Sequence, residues 1–174
     1  MAKPMFFYVG VYDNASDAQI DDNAIKGLNE SGAIGSYDSA IIVRQADGKV
    51  RVTKTEKPAE HGAWIGLAAG AGAAVLFPFL LPGLVVAGAS GAGLGAWFAH
   101  LAHGTSRGDA KRVGELLNEG DAAVVVIGID NDAKRIEAAA TLAREHVLER
   151  NVGDWDDAES DALEALEQAA AVPA

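Results

Sequence analysis

The eight residues Met5 to Tyr12, MFFYVGVY, decide how the rest of the chain is read. A short apolar and aromatic run closed by Asp13 and Asn14 predicts a buried strand. Side chains alternate along a strand, so Phe7, Val9 and Val11 share one face while Phe6 and Tyr8 take the other. A strand apolar on both faces is usually covered on both. The expected cover for the second face is a partner sheet, an inserted segment or a C-terminal helix, and self-association is the simplest of these.

Working outward, Ser16 and Gln19 have the spacing of a capping box, and Ile20, Ala24 and Leu28 follow at helical steps. Gly32 and Gly35 close that helix. Ser39 to Arg44, SAIIVR, is a second strand. Asp47-Gly48 is a hairpin turn, because this pair tolerates the positive φ that two-residue turns require. Lys49 to Thr55 sets Val50 and Val52 against Lys49, Arg51 and Thr53, which is the pattern of a half-exposed, positively charged edge strand. Thr105 to Gly120 predicts a helix with Val113, Leu116 and Leu117 inward and Gly120 as its stop. Ala122 to Ile129, AAVVVIGI, is the clearest strand in the chain.

Asp132 to about Ala143 predicts an alanine-rich helix. Arg144 to Val152 reads either as a last strand or as its continuation. Asp156 to Ala171 predicts an amphipathic helix, with Leu163, Leu166 and Ala170 opposite Glu159, Glu164 and Glu167. The order contains a ferredoxin-like split βαβ arrangement of the α+β class. In that layout the first strand and AAVVVIGI form the central pair. The expected division is a sheet domain of residues 1–60 and 104–152, an inserted helical hairpin of 61–103, and an acidic C-terminal helix of 153–174.

Charge is distributed unevenly. Residues 61–106 contain no Asp, Glu, Lys or Arg, whereas residues 152–174 hold seven acids and no base, supplying −7 of the net −11. Such acidity argues against a sequence-independent nucleic-acid partner, which needs a basic face. The absence of cysteine excludes disulfides, iron–sulfur clusters and thiolate zinc sites. The apolar run near the start is short for a secretory signal, so the chain is expected to start in the cytoplasm.

The uncharged insert has arms Ala63 to Phe77 and Gly83 to Leu101, joined through Pro78-Phe79-Leu80-Leu81-Pro82. Two prolines this close stop a helix and turn the chain back. As helices the arms span roughly 22 and 28 Å, against about 30 Å for a bilayer core. Gly62, Gly66, Gly70 and Ala74 lie four apart in the first arm. Gly83, Ala87, Gly91, Gly95 and Ala99 repeat the spacing in the second. Each row lies on one helix face, and the small side chains let backbones approach closely. Glycine inside a helix costs about 1 kcal/mol relative to alanine, which close packing must offset.

Trp64 and Trp97 sit at mirrored distances from the apex, and tryptophan favours membrane interfaces. Lys54 and Lys57 lie outside one arm and Arg107, Lys111 and Arg112 outside the other, a positive-inside pattern with both ends in the cytoplasm. Against this stand the glycine and alanine content and a mean hydropathy of only +0.09, which leave open a soluble hairpin bundle that is dry inside.

Signals for chemistry are weak. GAGAAV (Gly70 to Val75) lacks the preceding strand and the third small residue of a dinucleotide fingerprint. GASGA around Ser90 lacks the last glycine of a nucleophile elbow. Asp154, Asp156, Asp157 and Asp161 have no glycine at the sixth position of a calcium loop, and acids at a helix start explain them better. His61, His100 and His103 would converge at the open end of the hairpin, a donor set suited to a transition metal or a cofactor head group. No carboxylate pattern accompanies them, which favours interface histidines bonded to carbonyls. The sequence therefore names no catalytic residue, metal or cofactor.

In FYVGVYDNASDAQ (Phe7 to Gln19), the glycine-rich double arm, GTSRGDAKRVGELLNEGDAAVVVIGID (Gly104 to Asp130) and AKRIEAAATLARE (Ala133 to Glu145), the chain resembles an uncharacterised bacterial family, domain of unknown function 1269, described as predicted membrane proteins. The resemblance covers nearly the full length. It implies a small α/β domain with an apolar hairpin insert and transfers no catalytic residue.

The expectation is a non-enzymatic, membrane-associated structural protein of the bacterial cytoplasmic membrane, its sheet domain facing the cytoplasm. Its hairpin anchors it and joins it to other copies. The alternative is a soluble cytoplasmic homo-oligomer, a scaffold or a carrier of a lipid-like molecule.

Overall fold

The strand read first extends over Pro4–Tyr12 (β1) and is hydrogen-bonded on both sides. The computed structural model describes residues 3–46, 50–54, 121–154, 156, 157 and 160. Over these the chain is α+β. Five strands form one antiparallel sheet with two helices: β1, α1 (Ala15–Glu30), β2 (Tyr37–Arg44), β3 (Val50–Lys54), β4 (Ala122–Ile129), α2 (Ala133–Ala139) and β5 (Glu145–Asp154). A 3-10 turn over Asp130–Asp132 leads into α2. The sheet order is β3-β2-β4-β1-β5.

The two most apolar strands, β1 and β4, pair directly, with Met5 opposite Ile129 and Tyr12 opposite Ala122. Being interior, they have ladder partners on both edges, which satisfies the backbone groups their apolar side chains bury. β3 is an edge strand on β2, Arg44 facing Val50 and Ala40 facing Lys54. The Asp47-Gly48 turn between them lies outside the described residues. β5 forms the other edge, settling the alternative left open for Arg144 to Val152 in favour of a strand.

Both sheet faces are buried. Phe6, Tyr8, Tyr12, Val124, Val126 and Ile41 pack with Ala18 and Ile25 of α1 and Ala133 and Ile136 of α2. Phe7, Val9, Val11, Ala40, Ile42, Ala123, Val125 and Ile127 point the opposite way and are also fully or almost fully buried.

Three local expectations are corrected. The cap of α1 is Asn14, whose side chain accepts the Asp17 N–H at 2.8 Å, so the helix starts before Ser16. Its buried residues are Ala18, Asp21, Asp22 and Ile25; of the apolar steps, Leu28 packs half-buried against the core, while Ala24 is exposed and Ile20 is 54% exposed. The buried stripe turns toward the acids because each accepts a hydrogen bond from another element: Asp21 from the Leu142 N–H and Asp22 Oδ1 from the Ser39 hydroxyl, both at 2.8 Å. Finally, α2 ends at Ala139, four residues short of expectation. The following N–H groups are engaged elsewhere, Leu142 with Asp21 and Arg144 with the Val11 carbonyl.

Candidate functional site

A group of buried polar side chains lies beneath the helices, built on a Tyr-x-Gly-x-Tyr step in β1. Two-residue spacing puts Tyr8, Gly10 and Tyr12 on one face. A Cβ at Gly10 would lie 2.7 Å from the Tyr8 hydroxyl and 3.1 Å from that of Tyr12, so both hydroxyls converge over the missing side chain. Both are fully buried. Among the described residues neither has a hydrogen bond of good geometry, although Tyr8 and Tyr12 adjoin each other and Tyr12 adjoins Asp21.

Burial is the main cause holding both phenols far above the ordinary tyrosine range. At Tyr8 the charges of Asp21 and Glu137 add to it, with the Tyr12 hydroxyl opposing; at Tyr12 the Tyr8 hydroxyl and Asp21 add to it. Tyr37, beside Gly128 on the same face, is pushed up to about 12 by burial and then by Asp22, Asp38 and Glu30. Phenols so held stay protonated, and they serve as donors rather than as bases or nucleophiles at neutral pH.

His146 of β5 lies opposite Gly10 and therefore on the same face. Its ring stacks on Tyr8 with centroids 5.9 Å apart, and Nε2 is 2.8 Å from Glu137 Oε1 on α2. Tyr8, Tyr12, Asp21, Glu137 and His146 thus form a column from the sheet to the surface. The sequence reading did not find it. The only signal was the Tyr-x-Gly-x-Tyr step, because Asp21, Glu137 and His146 come from separate elements.

The remaining charged groups tie elements together. Arg144 pairs with Asp13 and, at 3.1 Å, with Asp121, holding the end of β1 to the start of β4. Asp121 raises the Arg144 pKa most, against burial and with help from Asp13. Arg150 of β5 donates to both oxygens of the buried Asp130. Asp132 accepts from Gly35 N–H at 2.9 Å and from Arg135 at 3.3 Å, fixing the turn after α1 to the start of α2.

Of the residues singled out in the sequence, Lys54 closes β3. The ladder Gly62, Gly66, Gly70, Ala74, Gly83, Ala87, Gly91, Gly95 and Ala99 lies outside the described residues. So do Trp64, Trp97, Lys57, Arg107, Lys111, Arg112 and the histidines His61, His100 and His103. Among the described residues no helix is long and apolar enough to cross a membrane, and no group of three or more His, Asp or Glu side chains is placed to hold a metal.

Residues 59–167, well over half of the chain, match the family described as "Protein of unknown function (DUF1269)". The chain belongs to this family. The DUF1269 match takes in the uncharged stretch together with β4, α2 and β5, and leaves β1 to β3 and α1 outside it. The polar column is therefore divided, with Glu137 and His146 inside the matched region and Tyr8, Tyr12 and Asp21 outside. No curated protein and no solved structure matches the chain.

Proposed function

We propose that this member of DUF1269 is a non-enzymatic structural protein whose residues 61–103 form a helical hairpin for membrane anchoring and self-association. The sheet domain, residues 1–60 and 104–152, is a ferredoxin-like split βαβ unit facing the cytoplasm. The observation that carries the function is the uncharged stretch 61–106 with its two four-residue ladders of small residues. Support for the fold comes from the order β2-β4-β1-β5, in which α1 and α2 each join two strands that have one other strand between them. The polar column supports a structural domain, since its buried phenols are held protonated and its surface pair links β5 to α2.

Alkaline carbonate washing of membranes from cells producing the full chain tests the anchor. Retention in the pellet is expected, and clean release into the supernatant sinks it. A second reading, favoured by the number of glycines and alanines in the arms, is a soluble homo-oligomer whose hairpins enclose a dry core able to hold a lipid-like molecule. A single defined assembly purified without detergent selects it.

A further inference from the structure

At one end of the sheet, a single carboxylate serves two segments that are far apart in sequence. Asp154 closes β5 opposite Pro4. Proline has no N–H, so the ladder cannot continue through it. The preceding N–H, of Lys3, instead donates to Asp154 Oδ2 at 2.6 Å. The other oxygen, Oδ1, accepts from the N–H groups of Asp156 and Asp157 at 3.0 and 3.3 Å, in the manner of a helix cap. Asp156, Asp157 and Ser160 are helical. A second bond closes the group, from Lys3 Nζ to Asp156 at 2.9 Å.

The backbone is shaped to bring this about. Asn151 takes a left-handed conformation, with φ of 56°, and the β1–β5 register shifts between Pro4 and Phe6. Such irregularities re-aim the side chains that follow them. What they aim here is Asp154. The segment it caps carries the six other acids of residues 152–174, which repel one another, and the charge-assisted bonds that Asp154 accepts at the N-terminal end of the helix offset part of that repulsion.

We propose that the Asp154 carboxylate is a latch that couples the start of β1 to the start of the acidic C-terminal segment, so that the two are held or released together. Three amides on two segments depend on one side chain, and that dependence is testable in the full chain. In Asp154→Ala, amide hydrogen exchange at Lys3, Asp156 and Asp157 accelerates together, by about five- to tenfold, the size expected for losing a capping acceptor. Exchange at Val9, in the middle of β1, stays at the wild-type rate. Acceleration on one segment alone overturns the coupling. If Val9 also accelerates, the milder Asp154→Asn is measured on the same three amides. One amide oxygen cannot replace two carboxylate oxygens, so unchanged exchange in that variant equally overturns the proposal.

Discussion

Tyr8 and Tyr12 bring their hydroxyls together over the Gly10 that separates them on β1. The same device recurs on β4, where the Phe6 ring lies over Gly128. A Cβ at Gly128 would be 2.8 Å from Phe6 Cε1, 3.1 Å from Cζ and 3.3 Å from Tyr37 Cβ. In both places an aromatic ring fills the volume of an absent side chain, and the core has little room for a replacement.

These two glycines predict a graded result. Gly128→Ala meets ring carbons and a Cβ, none of which moves without repacking, and should cost about 2–3 kcal/mol. Gly10→Ala meets mainly the far ends of two tyrosines and should cost less, about 1–2 kcal/mol. Urea unfolding of both variants checks the order. A larger cost at Gly10 would show that the tyrosine hydroxyls are the more rigid of the two obstacles, and equal costs that they yield no more easily than the Phe6 ring.

The start of α1 separates two caps. Asn14→Ala removes the acceptor for the Asp17 N–H and should lower stability by about 1 kcal/mol. Ser16 lies inside the helix and exposed, so Ser16→Ala should be neutral within about 0.5 kcal/mol. Thermal unfolding of the pair is sufficient. A larger loss at Ser16 would restore the capping box that the spacing to Gln19 suggested.

Alkali should unfold the protein through its buried phenols. Below pH 10 Tyr8, Tyr12 and Tyr37 are protonated in both folded and unfolded chains, and their contribution is fully present. Above the ordinary value of 10.0 the unfolded chain releases protons that the folded one retains, so stability falls as pH rises. Each tyrosine contributes about 1.4 kcal/mol per pH unit to that fall. For Tyr37 the loss levels off near its folded value of about 12. Denaturant unfolding across this range, with tyrosinate absorbance followed in parallel, should show ionisation of these groups only as the chain unfolds. Stability that stays flat above pH 10 would contradict the burial of Tyr8 and Tyr12.

How far the sequence speaks for itself depends on where the deciding interactions lie. β1 and β4 were legible because their apolar runs are long, uncharged and interior. β5 was ambiguous because Glu145, His146, Glu149 and Arg150 are edge residues without a clean alternation, and the residues before it favour helix. The early end of α2 was hidden for another reason: it depends on Asp21 and Val11, more than a hundred residues earlier, taking the N–H groups a longer helix would use. The inward face of α1 was misread because carboxylates count as surface residues until their partners, Ser39 and Leu142, are known. The polar column is invisible for the same reason, since three of its members meet only through the sheet order.

The Arg150–Asp130 pair gives an asymmetric prediction. Asp130 is buried, its side chain 7% exposed, while that of Arg150 is 46% exposed. Removing the arginine leaves a buried carboxylate without the donor that reaches both of its oxygens. Arg150→Ala should therefore cost about 1–3 kcal/mol, the penalty of a buried acceptor deprived of its partner. Asp130→Asn keeps an acceptor and removes the buried charge, leaving Arg150 free to turn to water, and should cost no more than about 1 kcal/mol. The double variant should resemble Asp130→Asn alone, because without the carboxylate the arginine has little left to satisfy. Chemical denaturation of the three variants measures the cycle. A loss in Asp130→Asn as large as that in Arg150→Ala would mean that the carboxylate holds the 3-10 turn before α2 independently of the arginine.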